Sequence, residues 1–436
     1  MKTKESKVRK RSSKGITLIA LIVTIIVLII LAGVSINLVF GNLGIVTKAK
    51  EGKESQKQAQ ANEQVALEEI SNEMDKMIGT NATKKEDPTS MPTIKGLRDS
   101  GEFVKKETTA IDSDKNLVKI PKGFKVAPDS GINVTEGVVI EDNDVIEGIG
   151  NNRGNQYVWI PVGNEINKSD GSKVNITLGR YTFADGTNDK DANGNVLTRG
   201  TPILKQRAED YTQEVLINSN YKELATYRQG IASGDENGLN TTSRGKQKQD
   251  GTYEGIKSFV DSAKTNGGYY IARYEASYGI DGKVNSKVSN SYSKITAPTT
   301  EGMLWNYINP IDAATACYDI YTTATTDLIN SYSWDTAIVY IQEFSGDTYY
   351  SYQNSKNGSL ANAGTNNDEK CKINDMASNV WEWSTEYSID ETSSFTRPIT
   401  GRGGDYDLRY RCASGRSSST ASYTGLDDSF RAILYM

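Results

Sequence analysis

The segment from residue 375 to the C-terminus constrains the fold most strongly, because tryptophan, glycine, arginine and cysteine are concentrated there in a definite order. It contains four short motifs: Asp375-Met-Ala-Ser-Asn-Val-Trp-Glu-Trp383, Gly401-Arg-Gly-Gly404, Arg409-Tyr-Arg-Cys-Ala413 and Ser429-Phe-Arg-Ala432. In a strand, Trp381 and Trp383 share one face. Two indoles at this spacing predict a core strand near the end of the chain.

Composition excludes several classes of function. The net charge of −5 over 436 residues gives no basic field for nucleic acid. The chain has no histidine, which excludes Ser–His and Cys–His catalysis and histidine zinc sites. Its three cysteines allow one disulfide at most. Tyrosine (24) far outnumbers phenylalanine (8), which favours β-rich structure with amphipathic contact surfaces.

The N-terminus predicts a membrane anchor. Residues 1–15 form a basic leader, and the uncharged run 16–40 would span roughly 37 Å as a helix, enough to cross a bilayer. Positive charge before the run places the leader in the cytoplasm and the rest of the chain outside. We therefore expect a single-pass protein of the bacterial cell membrane with an extracellular C-terminal domain.

Three further regions follow the predicted span. Residues 41–78 favour a helical stalk, since the stretch 48–77 is rich in alanine, glutamate, glutamine and lysine. Residues 79–114 are dominated by threonine, lysine, aspartate, serine and proline and predict a flexible linker. Residues 115–436 hold every tryptophan and predict one folded domain. Residues 181–254 predict long surface insertions within it.

The order of elements predicts an α+β domain with few helices and long loops. Residues 156–161 and 267–275 read as strands bounded by turn signals. Asn309 and Pro310 give a helix start, with an N-cap followed by proline at the first position. A second helix is predicted from Ser333, with Trp334 inward. Strands, two helices and a strand-rich end indicate helices segregated from an antiparallel sheet.

The junction around Gly15 resembles the processing site of type IV prepilins, in which a basic leader, a glycine and an unbroken apolar helix follow in this order. The resemblance implies cleavage between Gly15 and Ile16, and a link to type IV pilus or secretion machinery. Pilins usually carry glutamate at the fifth mature position, which here is Ala20. A plain transmembrane anchor remains the alternative.

The C-terminal motifs resemble those of the formylglycine-generating enzyme (sulfatase-modifying factor) family, a variant of the C-type lectin fold. Further matching pieces are Tyr157-Val-Trp-Ile-Pro161, Gly268-Tyr-Tyr-Ile-Ala-Arg-Tyr-Glu275, Asp312-Ala313 with Cys317, and the stretch 328–337. The resemblance implies a structural calcium site made by the side chains of Asp375 and Glu382 and the carbonyls of Ser378 and Val380. It also implies a disulfide between Cys317 and Cys412. We expect Arg402 and Arg431 to be satisfied inside the core.

The chain departs from the family where its chemistry lies. The family's copper-binding cysteine pair belongs to a loop that is reduced here to Asp405-Tyr-Asp-Leu408 and contains no cysteine. Related iron-dependent sulfoxide synthases need a histidine triad, which this chain cannot supply. We therefore expect no copper and no enzyme activity.

What remains is a scaffold with a ligand-binding surface. The fold resembles variable proteins of diversity-generating retroelements, and residues 405–429 contain no Lys, Glu, Gln, Met or Trp, as adenine mutagenesis of AAC codons would require. Tyrosine among short polar residues is typical of adaptable binding surfaces. The predicted ligand contacts are Asp405, Tyr406, Asp407, Leu408, Tyr410, Arg416 and Tyr423.

The sequence thus predicts a membrane-anchored display protein that binds an extracellular glycan or surface protein. Two alternatives stay open. One is a minor pilin or pseudopilin, and the other is a divergent formylglycine-generating oxidase.

Overall fold

The computed structural model describes residues 91–142, 154–223, 253–279, 282–354, 358–389, 399–407 and 412–436, with a few positions between these ranges. All belong to a compact unit, Pro88–Met436. The predicted leader, the Gly15–Ile16 cleavage site, the span 16–40 and the stalk 41–78 lie outside the described residues. Within those ranges, no helix combines the length and the apolar character that a bilayer crossing needs.

The described fold is mixed α and β, with few helices and many short strands. Its helices are α1 (Ile94–Ser100), α2 (Ile256–Asn266), α3 (Pro310–Cys317) and α4 (Ser331–Phe344). The strands before α2 are β1 (Thr108–Ile111), β2 (Leu117–Ile120), β3 (Phe124–Val126), β4 (Val139–Asp142), β5 (Gln156–Pro161), β6 (Gly163–Asn167), β7 (Lys173–Ile176), β8 (Gly179–Phe183), β9 (Pro202–Arg207) and β10 (Tyr221–Lys222). The later strands are β11 (Gly268–Ala272), β12 (Ser277–Tyr278), β13 (Val284–Asn285), β14 (Thr325–Leu328), β15 (Trp381–Ser388), β16 (Glu391–Thr392), β17 (Phe395–Thr396), β18 (Ile399–Arg402), β19 (Arg416–Ser419), β20 (Asp428–Phe430) and β21 (Ala432–Tyr435).

Two larger sheets organise the strands. One has six strands in the order β14-β21-β11-β5-β4-β3, so the C-terminal strand β21 lies between β14 and β11. Its pairings are all antiparallel. The other has the order β10-β15-β18-β19, and β20 pairs with β15 in parallel. Helix α4 packs against β5, β8 and β15, while α2 packs on β11 and β21. One large apolar core results, and Trp159, Trp334 and Trp383 are fully buried in it.

The helix starts follow the sequence closely. The Asn309 side chain accepts hydrogen bonds from the amides of Ile311 and Asp312, which caps α3 as predicted. Helix α4 begins two residues before the predicted Ser333. The reason is a capping box in which the Asn330 side chain accepts from the Ser333 amide, and the Ser333 hydroxyl accepts from the Asn330 amide.

Within the predicted linker 79–114, residues 91–114 carry helix α1 and strand β1. Thr93 caps α1 through its side chain, and Gly101 ends that helix in the left-handed conformation. Strand β1 pairs with β2, and both Ile94 and Ala110 are fully buried. Burial of these two apolar residues holds the segment in place, although its overall polar composition favours a mobile chain.

We expect Asn330→Ala to lower the free energy of unfolding by about 1 kcal/mol, because the amides at the start of α4 lose their acceptor. Asn330→Ser keeps a short side-chain acceptor and should recover most of this loss. Urea denaturation of both variants measures the difference. Equal stability of the alanine variant and the parent protein would contradict the capping role.

Candidate functional site

The loop between β18 and β19 begins with a turn that hydrogen bonds hold against the start of β15. The Trp381 indole donates to Asp405 Oδ2 at 2.9 Å, and the Asp407 amide donates to Asp405 Oδ1 at 3.0 Å. The Tyr406 amide donates to the Asn379 carbonyl at 2.9 Å. Asp405 is therefore buried, and its two oxygens hold the turn against the start of β15.

Two tyrosines and two aspartates face outward beside this turn. Asp407 is exposed, Tyr406 and Asp427 are half-buried, and 45% of Tyr423 is exposed. Burial raises the pKa of Tyr406 and of Tyr423, and the Asp427 carboxylate is among the charges that raise both further. Asp427 therefore lies within electrostatic reach of both hydroxyls. We call Tyr406, Asp407, Tyr423 and Asp427 the tyrosine–aspartate surface.

A buried carboxyl lies beneath this surface. Asp428 begins β20 opposite Trp381 and is only 5% exposed. Its Oδ2 atom is buried and has no hydrogen-bond partner among the described residues. Burial raises the pKa of Asp428 well above its usual range, and the carboxylates of Asp427 and Asp405 raise it further. Three carboxyl groups are thus close together at this point of the molecule, and their proximity and burial disfavour ionisation of Asp428.

The structure divides the seven predicted contact residues into three groups. Tyr406, Asp407 and Tyr423 are accessible and lie near one another. Asp405 and the side chain of Arg416 are buried in the described structure. Leu408 and Tyr410 lie outside the described residues.

The side chain of Arg416 is buried within a network of ion pairs. Its side chain is 3% exposed and contacts Asp335 at 2.6 Å and Glu386 at 3.0 Å. Arg402 contacts the same two carboxylates at 2.5 and 3.1 Å, and Arg180 contacts Glu386 at 2.7 Å. Burial opposes ionisation of Glu386, but the three guanidinium groups outweigh it and hold its pKa at about 2. The predicted burial of Arg402 is confirmed.

The three arginines and two carboxylates of this network carry one net positive charge. The carboxyl group of Glu223 lies next to them. Glu223 accepts from the Ser331 amide at 2.9 Å and the Thr385 hydroxyl at 2.6 Å. Burial raises its pKa to about 7, and the charge of Arg180 counteracts this in part. Glu223 is therefore an acid that titrates near neutral pH inside the core.

The two carboxylates of the predicted calcium site bind other groups. Arg431 contacts both oxygens of Glu382, at 2.6 and 2.5 Å. The Gly364 amide and the Asn366 side chain donate to the two oxygens of Asp375. The Ser378 hydroxyl donates to Asp368, and the Val380 amide donates to Glu275. This arrangement does not fit calcium, because a guanidinium holds the carboxylate that the ion needs. In the described ranges, no three acidic or thiol side chains are grouped for a metal.

The predicted disulfide between Cys317 and Cys412 is absent, since all three cysteines are free thiols. Burial raises the pKa of the Cys317 thiol well above its usual range, and the neighbouring Asp327 raises it further. Cys412 instead lies in the turn before β19, where its sulfur is 3.6 Å from the Ser414 hydroxyl. The two thiols have different neighbours. Burial raises the pKa of the third, Cys371, to about 12.

Sequence reasoning missed Asp427 and Asp428, although two adjacent acids after an exposed tyrosine were a visible signal. It also missed Arg180, Asp335 and Glu386. Arg180 and Glu386 are 206 positions apart in the sequence, and no local pattern connects residues at that separation.

We expect Arg416→Met to lower the free energy of unfolding by about 3–5 kcal/mol, because Asp335 and Glu386 lose a buried counter-charge. Lys95→Met removes an exposed ion pair with Asp99 and serves as the control, with little change expected. Chemical denaturation measures both. A small effect of Arg416→Met would show that its charge is not needed in the core.

We also expect stability to fall as pH rises from about 4.5 to about 7. An acid whose pKa is higher in the folded protein than in the unfolded chain disfavours folding progressively between those two values. For Glu223 the loss is about 3 kcal/mol. Denaturation at several pH values should show a shallower decline for Glu223→Gln than for the parent. Parallel curves would exclude Glu223 as the titrating group.

Comparison with known proteins assigns no family. No family model matches the chain, and neither does any curated protein. Among solved structures, the chain is similar to the crystal structure of CarF, with 14% identity and a TM-score of 0.29 over 39% of this chain and 87% of that one. It is also similar to Treponema denticola variable protein 1, with 12% identity and a TM-score of 0.24 over 67% of this chain and 99% of that one.

Proposed function

We propose that this chain is a membrane-anchored, extracellular ligand-binding protein that does not act as an enzyme. The observation that carries the proposal is the tyrosine–aspartate surface, in which exposed side chains stand on a buried and hydrogen-bonded base. Tyrosine supplies a large amphipathic contact area, while its two side-chain torsions cost little conformational entropy on binding. The proposed ligand is an extracellular glycan or a surface protein.

The base of the surface supports binding because it is rigid. Asp405, Trp381 and the backbone of Asn379 hold the turn at 405–407 with three hydrogen bonds. On the other side of the surface, the Trp381 amide donates to the Asp427 carbonyl at 2.7 Å. A surface held in place before the ligand arrives loses less entropy on association.

We further propose that the folded unit has a C-type lectin-like fold of the formylglycine-generating type. The C-terminal motifs support this, because the tryptophans and two of the arginines in them have structural roles in the described fold. Trp381 and Trp383 donate to Asp405 and to the Ile308 carbonyl, while Arg402 and Arg431 bind buried carboxylates. Membrane anchoring through residues 16–40 rests on the sequence alone.

The absence of catalysis is proposed from the sequence. The cysteine pair of the oxidases has no counterpart in Asp405-Tyr-Asp-Leu408, and the chain has no histidine. Oxidation of a cysteine-containing peptide to formylglycine by the copper-treated protein would refute this part of the proposal.

The binding role is tested by probing glycan arrays and arrays of purified surface proteins with the full chain. For any specific target, Tyr406→Ala and Tyr423→Ala should each weaken binding about tenfold or more, as central tyrosines do in interfaces. Tyr349→Ala is the matched control, because Tyr349 is 44% exposed and belongs to a different loop. Unchanged binding by both tyrosine variants, with melting temperatures preserved, would place the ligand elsewhere.

A further inference from the structure

A cavity lies where the hairpin β6–β7 meets the hairpin β8–β9. Only Thr177 and Leu178 connect β7 to β8, and both line the cavity, which has a volume of about 220 Å³. Arg207 at the end of β9 and Lys264 in the last turn of α2 line two other sides. None of the lining residues belongs to the tyrosine–aspartate surface. The cavity is therefore a second candidate site.

Hydrogen bonds and buried apolar side chains hold the walls of this cavity in place. The Ala208 amide donates to the Leu178 carbonyl at 3.0 Å, beside the pairing of β8 with β9. The Val162 amide donates to the Gly267 carbonyl at 2.9 Å, which connects the end of β5 to the end of α2. Ile176 and Leu178 are buried at the base. A site that is formed before its ligand arrives loses less entropy on binding.

Three polar side chains at the cavity make no hydrogen bond to another described residue. They are the exposed amide of Asn175, the half-buried hydroxyl of Thr177 and the exposed guanidinium of Arg207. Burial raises the pKa of Tyr181 to about 12, and the charge of Arg207 lowers it in part. The Tyr181 hydroxyl donates to the Thr177 carbonyl at 2.7 Å. The guanidinium charge therefore acts close to Thr177, at the junction of the two hairpins.

The charged side chains that line the cavity carry one net positive charge. Lys264 pairs with Glu209 at 3.5 Å, and both side chains are 47% exposed, so this pair is weak. Arg207 has no ion pair with a described residue. A guanidinium presents its N–H donors in a planar fork that binds a carboxylate through two parallel hydrogen bonds. The cavity is therefore suited to a ligand that carries a carboxylate.

The other lining groups favour a sugar as the carrier of that carboxylate. Asn175 and Thr177 can both donate and accept hydrogen bonds, as sugar hydroxyls do. Val162 and Leu178 supply apolar surface for the carbon atoms of a ring. Pockets for drug-sized ligands measure about 300–1,000 Å³, so this smaller cavity suits a single ring. A glutamate side chain would satisfy Arg207 but leave Asn175 and Thr177 without partners.

We propose that this cavity binds a uronic acid residue of a glycan, whose carboxylate pairs with Arg207 and whose hydroxyls pair with Asn175 and Thr177. The inference goes beyond the proposed function, because the cavity and the tyrosine–aspartate surface share no residue. A uronic acid is favoured over larger acidic sugars because its carboxylate is attached directly to a single six-membered ring.

The experiment is calorimetric titration of the full chain with trigalacturonate, with its methyl ester and with triglutamate. The ester removes the negative charges of the sugar and keeps its ring hydroxyls. We expect the ester to bind about tenfold more weakly or less, because the charged hydrogen bonds to the guanidinium are lost. Arg207→Met should weaken the binding of trigalacturonate by a similar factor. Asn175→Ala should weaken it about threefold to tenfold, since one neutral hydrogen-bonding group is removed.

Arg199→Met is the matched control. It makes the same exchange as Arg207→Met at an exposed arginine that has no ion pair with a described residue, but Arg199 does not line the cavity. Equal weakening by the two variants would mean that binding follows net charge alone and would overturn the proposal. Equal binding of trigalacturonate and its ester would also overturn it, as would no binding of trigalacturonate by the folded parent protein. Should Arg207→Met not fold, Asn175→Ala decides the question, because its side chain is exposed.

Two further outcomes separate this proposal from its alternatives. Triglutamate that binds as tightly as trigalacturonate, with no effect of Asn175→Ala, would assign the cavity to an acidic protein segment and overturn the sugar. Tyr423→Ala should leave the binding of trigalacturonate unchanged. Loss of binding in Tyr423→Ala but not in Arg207→Met would locate the sugar at the tyrosine–aspartate surface, which would refute the cavity and support the proposed function.

Discussion

Five charged side chains without access to water connect most of the described fold. Arg180 comes from β8, Asp335 from α4 and Glu386 from β15, while Arg402 and Arg416 come from β18 and β19. Each charge is satisfied only when the others are in place, because an unpaired ion in a low-dielectric interior costs several kcal/mol. The relative positions of helix α4 and the β15 sheet are thus coupled to one another.

The buried residues that form this ion network are distinct from the exposed residues of the tyrosine–aspartate surface. Between residues 401 and 428, the side chains of Arg402, Asp405 and Arg416 are turned inward and bonded to residues of strands or helices. The accessible side chains that the structure describes between them take no part in the ion network. The exposed side chains can therefore differ in size and polarity with little consequence for the core.

Local signals in the sequence predicted local features well. Asn309 with Pro310 located α3, and the spacing of Trp381 and Trp383 located β15, because capping and alternation depend on neighbouring residues only. The burial of Arg402 and Arg431 was also predicted, from the resemblance to the formylglycine-generating enzyme family. The partners of Arg416 could not be predicted, since Asp335 and Glu386 meet it only after the sheets and α4 assemble. For residues 91–114, the polar average composition predicted a flexible linker. The segment carries a helix and a strand instead, because the buried apolar residues Ile94 and Ala110 outweigh that average.

The position of β21 in the middle of the six-stranded sheet has a consequence for biosynthesis. Both of its neighbours, β14 and β11, precede it in the sequence, but they cannot be bridged until β21 itself has been synthesised. A chain that terminates prematurely within the segment before β21 would expose two unpaired strand edges, which are recognised features of aggregation-prone and protease-sensitive chains.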